Sequence, residues 1–141
     1  MECTGKGVST MTPITASRLA TSPAYAVLPA EDIHRAHRFY EETLGLEVES
    51  PSATELYVSA GSGTKFVIYE RARTKAEHTV MTFLVDDLKA AMSDLVSRGV
   101  KFEEYDLPYL KTVGGIAESP TELAAWFTDT EGNIINLAQM K

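Results

Sequence analysis

The chain is written twice. "YAVLPAEDIHRAHRFYEETLGLEV" begins at Tyr25, "VMTFLVDDLKAAMSDLVSRGVKF" begins at Val80, and setting Asp32 against Asp87 brings the two into step. Each copy runs apolar strand, acidic pair, helix, glycine, strand. An internal repeat constrains the fold more than any single residue does, because two copies of one supersecondary unit adopt one topology. Ile33, Ala36, His37, Tyr40 and Leu44 share one stripe, as do Leu88, Ala91, Met92 and Leu95. Both stripes follow the i, i+3, i+4, i+7 spacing of an amphipathic helix. The pairs Glu31-Asp32 and Asp86-Asp87 stand where a helix N-terminus favours carboxylates. Gly45 and Gly99 stand where a helix end favours the left-handed conformation.

Further strands follow each helix: "GLEVES", "TELYVSA" and "TKFVIYE" in the first half, "VKFEEY", "ELAAWFT" and "NIINLA" in the second. Each half therefore reads β-α-β-β-β. The boundaries predicted are a flexible tail over 1–21, a first module over 22–72 and a second over 73–141, with "RARTKAE" as a charged linker. The tail is Thr/Ser-rich and carries no apolar period, and Met11 offers a second start. The connection 106–121, with Pro108, Gly114, Gly115 and Pro120, is long for a segment without regular structure. Connections of that kind commonly act as lids.

Composition narrows the function. A net charge of −7 lacks the basic footprint of a nucleic-acid binder. It suits solubility and neutral or cationic small ligands. No apolar run reaches the ~18 residues of a membrane span. The single cysteine, Cys3, cannot form an intramolecular disulfide. No secretory apolar region precedes the first module, so a cytoplasmic location is expected.

One stretch holds the site candidates, "AAWFTDTEGNIINLAQ". It reads strand, turn, strand, yet Asn136 sits among Ile and Leu in the second strand. Alternation sends Ile135 and Leu137 to one face and Asn136 to the other. It also separates Trp126 from Phe127. If Phe127 packs under a helix, the indole and the amide share the uncovered face.

The segment "AEDIHRAHRFYEETLGLEV", in which Phe-Tyr precedes Leu-Gly-Leu, and the segment "AAWFTDTEGNIINL" resemble the vicinal oxygen chelate superfamily. That superfamily includes glyoxalase I, the bleomycin-resistance proteins and the extradiol dioxygenases. The second segment is similar to its Phe-x-Asp-Pro-x-Gly-Asn hairpin, with Thr130 in place of proline. The resemblance spans about residues 24–139. It implies an α+β fold whose two βαβββ modules curl into a half-open barrel cleft, and a small-molecule ligand in that cleft. Open sheet edges and apolar faces of such modules are commonly covered by two-fold pairing, so a homodimer is expected.

Metal-dependent members place His, Gln or Glu at four cleft positions. The resemblance carries three of these onto Tyr25, Val80 and Asn136, and the fourth onto Lys65, Val67 or Tyr69. These side chains supply neither imidazole nor carboxylate, so no metal and no cofactor is expected. The ligand-contact candidates are Tyr25, Tyr57, Tyr69, Val80, Lys111, Trp126 and Asn136.

Two enzyme readings stay open. A displaced metal site at His78 and Glu70 would make a lyase, isomerase or dioxygenase. Tyr25, Tyr69 or Lys111 would serve a metal-free enzyme in proton transfer. His37, on the apolar stripe, is expected buried and hydrogen-bonded, and His34 solvated. "GSGTK" precedes a strand, which makes it a hairpin turn and not a phosphate loop.

Overall fold

Asp32 and Asp87 each cap a helix through their own carboxylate. Asp32 accepts from the Arg35 amide at 3.0 Å, and Asp87 accepts from the Ala90 amide at 3.1 Å. The computed structural model describes residues 15–141. After a short 3-10 turn at Arg18–Thr21, the chain forms β1 (Val27–Ala30) and α1 (Ile33–Arg38), which widens into a π-type turn over Phe39–Thr43. Then come β2 (Glu47–Ser52), β3 (Glu55–Ser59) and β4 (Lys65–Glu70). The second half holds β5 (Thr79–Leu84), α2 (Leu88–Ser97), β6 (Asp106–Leu107), β7 (Leu110–Lys111), β8 (Ala117–Glu118), β9 (Glu122–Thr128) and β10 (Ile134–Met140).

The strands form two four-stranded mixed sheets, β1-β4-β3-β2 and β5-β10-β9-β8, and β6 pairs with β7 in a small hairpin. β1 runs parallel to β4 and β5 parallel to β10, while their remaining neighbours are antiparallel. The fold is α+β, and among the described residues the sheets form no closed barrel. The expected strand "VKFEEY" is reduced to a single bridge, Phe102 to Phe127, extended by a hydrogen bond from the Glu103 amide to the Trp126 carbonyl at 2.8 Å. The remainder of that edge of β9 is taken by β8, which pairs Ala117 with Ala124.

Each sheet buries one face beneath helices. Leu28, Leu56, Val58, Phe66 and Ile68 do so in the first sheet, and Ala125, Phe127, Ile135 and Leu137 in the second. These residues join Ile33, Ala36, Tyr40 and Leu88 in one core that spans both halves of the chain. His37 departs from expectation. It is half-buried, with Nε2 3.4 Å from Glu41 and Nδ1 3.5 Å from the Ser50 hydroxyl. The buried line of α1 runs through Ile33, Ala36 and Tyr40, which leaves His37 at its margin. His34 is exposed, as expected.

The turn between β9 and β10 locks the two halves together. Glu131, 2% exposed, accepts from the backbone amides of Glu31 and Asp32 at 2.9 and 3.0 Å and from Arg35 Nε at 2.7 Å. Burial alone would raise its carboxyl pKa, but the bonds from Arg35, the Asp32 amide and Thr130 outweigh it and hold the group at about 2. Beside it, the Tyr40 hydroxyl donates to Asp129 at 2.6 Å, and Asn133 Nδ2 donates to the Pro29 carbonyl at 3.0 Å. Burial, with the charge of Asp129, pushes the Tyr40 phenol well above its ordinary pKa.

Candidate functional site

Asn136 is 7% exposed, and all its polar atoms are engaged. Its Oδ1 accepts from the Thr82 hydroxyl at 3.0 Å, and its Nδ2 donates to the Ala125 and Leu137 carbonyls at 3.0 and 3.2 Å. Thr82 lies opposite it on β5 and Trp126 opposite it on β9. Trp126 is fixed in turn: its indole N–H donates to the Thr79 hydroxyl at 3.0 Å, and Tyr105 meets the ring edge-on at 5.7 Å between centroids. An indole held by a hydrogen bond and an edge-on aromatic contact loses little rotamer freedom when a ligand arrives, which favours binding.

Above these residues lies a strap made of the β6–β7 hairpin and the chain as far as β8. Tyr109, Leu110, Lys111 and Glu118 from the strap and Ala124, Trp126 and Asn136 from the sheet enclose a concavity of about 350 Å³. That volume is in the range of small-molecule sites. Glu104 pins the strap by accepting from the Thr112 hydroxyl and, at 3.0 Å, from the Gly115 amide. Tyr109 is 83% exposed, so the strap presents an uncommitted aromatic at the mouth. Lys111 reaches no closer than 3.7 Å to its nearest carboxylate, Asp106.

The seven sequence candidates fall in different places. Trp126, Asn136 and Lys111 line this concavity together. Tyr25, 64% exposed, precedes β1 and lines a separate concavity of about 430 Å³ with Lys65 and Met81 to Leu84. Tyr57 on β3 lies across from Glu49 and Val67, and Tyr69 on β4 across from Glu55 and Pro29, so both belong to the first sheet.

Val80 corrects the strand alternation. The β5–β10 register shifts between Ile134, paired with Thr79, and Ile135, paired with Met81, which leaves Val80 as the extra residue of a bulge. Thr79 therefore stands beside Trp126, its hydroxyl accepting from the indole N–H at 3.0 Å. Sequence reasoning missed Thr79, Thr82 and Glu104. Two of them are signalled only by register and the third only by a contact with the strap.

The metal positions of the resemblance do not fit a metal here. Val80 has no donor atom, Tyr25 lines a different concavity, and the Asn136 oxygen is already held by Thr82. Among the described residues no three His, Cys, Asp or Glu side chains come together as a metal would require, so neither His78 nor Glu70 belongs to such a group.

Residues 22–137 match the family model of the Glyoxalase/Bleomycin resistance protein/Dioxygenase superfamily. The chain belongs to that superfamily. No curated protein matches the chain. Solved structures share its fold. TnmS3, an antibiotic binding protein from Streptomyces sp. CB03234, is 23% identical, with 85% of this chain and 98% of that one covered and a TM-score of 0.63. UcmS2 is 20% identical, with 81% and 94% covered and a TM-score of 0.63. FosX, a genomically encoded fosfomycin resistance protein from Listeria monocytogenes complexed with Mn(II) and sulfate, is 14% identical, with 86% and 91% covered and a TM-score of 0.62. Among the described residues no helix is long and apolar enough to cross a membrane.

Proposed function

We propose that this superfamily member binds a small, planar organic molecule in the concavity beneath the strap, without a resident metal. The observation that carries this reading is the pre-set indole of Trp126, held by Thr79 and Tyr105 on the wall of a 350 Å³ concavity. Pockets that bind organic ligands combine an apolar wall with a few fixed polar groups, and here Trp126 and Ala124 supply the wall while Lys111, Glu118 and Glu122 supply the polar rim. TnmS3, of the same fold, is an antibiotic binding protein, in keeping with a binding role. The chemistry is recognition alone: stacking on the indole, and ionic or hydrogen-bonding contact at the rim.

The working unit in this reading is a homodimer. Val27 and Leu84, at 53% and 73% exposed, stand beside Tyr25 as apolar side chains that a single chain leaves open to water. A second copy of the chain would cover them.

Trp126 is the sole tryptophan, so its emission reports on the concavity without a label. Titration with proflavine and, separately, with anthraquinone is expected to quench it saturably for at least one of the two. Asn136→Leu should weaken that binding at least tenfold, because the indole's neighbour across the sheet loses its shape and polarity. Quenching that stays linear in both titrations, or is equal in the variant, contradicts the assignment.

A further inference from the structure

The strap has two sides, and the outer one is also built. Between α2 and the strap runs a groove of about 810 Å³, lined by Met92, Val113, Ile116 and Leu123 with Lys89 and Lys111 on its rim. Its apolar wall is fixed in place. Gly114 and Gly115 both take positive φ, at 62° and 81°, and turn the chain so that Val113 pairs with Ile116. A Cβ at Gly115 would lie 3.2 Å from Met92 Cε and 3.4 Å from Phe102 Cβ, so strap and helix are in close contact at that point. Val113 is nonetheless 77% exposed.

The charge around the groove runs against that of the chain, which is −7 overall. Glu118, the one carboxylate on its wall, is neutralised by Lys141 at 2.6 Å. The bond and charge of Lys141, with a smaller contribution from Lys89, hold the Glu118 pKa below its ordinary value. Lys111 has Asp106 at 3.7 Å, and among the described residues no carboxylate lies within 4.0 Å of Lys89. The result is an apolar floor with a cationic rim.

We propose that this groove is a second binding site, for an amphipathic anion whose apolar part lies on Met92, Val113, Ile116 and Leu123 and whose carboxylate or sulfonate head meets Lys89 and Lys111. Apolar burial supplies the larger share of affinity, and the lysines select the sign of the head group. Lys111 and Glu118 line both this groove and the concavity over Trp126, so the two sites share a wall.

The test is calorimetric titration with two probes of equal tail and opposite head, dodecanoate and dodecyltrimethylammonium, each below its micelle concentration. Dodecanoate is expected to bind once per chain, at least tenfold more tightly than the cation, and more weakly as salt is raised. Lys89→Glu on α2 and Val113→Glu on the strap, both at exposed positions, should each weaken dodecanoate at least tenfold while leaving the circular dichroism and melting temperature of the protein in place. Equal affinity for the two probes, no saturable binding, or unchanged affinity in Lys89→Glu overturns the proposal. So does an affinity for dodecanoate that falls as protein concentration rises, which would give the groove to a second copy of the chain.

Discussion

Glu131 shows how much a single turn residue does in this protein. Its carboxylate accepts from the amides of Glu31 and Asp32, immediately before α1, and binds the Arg35 side chain. A carboxyl group held at about 2, against 4.5 when unperturbed, contributes stability that is present in full above the ordinary value and is lost as pH falls through the folded one. Glu131→Gln is therefore expected to cost about 2 kcal/mol at pH 7, the range for a hydrogen-bonded charge whose partner is left behind. Urea midpoints measured from pH 7 down to pH 2 should converge for the two proteins toward the acid end. A constant gap across that range would show that the charge of Glu131 is not what holds α1. None of this was legible in "DTEGN", which announces a turn but not its target. The partner residues lie about a hundred positions earlier, at Glu31, Asp32 and Arg35. Asn136 was legible because it breaks an apolar run, and a buried amide must find partners. Which partners it finds, Thr82 and two carbonyls, is set by register across the sheet.

At the scale of elements, the helices and most strands could be read from the chain because their signals are local: an acidic N-cap, a stripe of period 3.6, an alternation of period 2. The misreadings arise where neighbouring elements decide. "VKFEEY" has the composition of a strand, yet the strap occupies most of the edge of β9 that it would need. Val80 has the composition of a paired residue, yet a bulge removes it from the ladder. The strap, read from sequence as an irregular lid over 106–121, carries its own hairpin and is pinned by Glu104. Replacing Glu104 by Ala is expected to speed amide exchange at Gly115 at least tenfold, equivalent to ~1.4 kcal/mol of lost local stability, while exchange in β10 stays as it was. If Gly115 exchanges at the same rate in both proteins, the strap is held by something other than that carboxylate.

For the whole molecule, the repeat foretold two similar halves, and the single core joining them follows from the turn that docks on α1. Residues 1–14 of the expected tail 1–21 lie outside the described residues. Pairing of chains belongs to this scale as well. Sedimentation equilibrium is expected to give about twice the chain mass of 15.4 kDa, and Leu84→Asp, which charges a side chain 73% exposed, should shift the population to monomer. A monomer mass at all concentrations would contradict pairing. The central claim is that ligand recognition at Trp126 and Asn136 proceeds without a metal. It is tested most directly by repeating the proflavine and anthraquinone fluorescence titrations on protein dialysed against EDTA and on the same protein loaded with Mn²⁺, Ni²⁺ or Zn²⁺. The account predicts one dissociation constant for each ligand, unchanged by either treatment. Quenching that requires the metal, and that disappears in His78→Ala or Glu70→Ala, would contradict it.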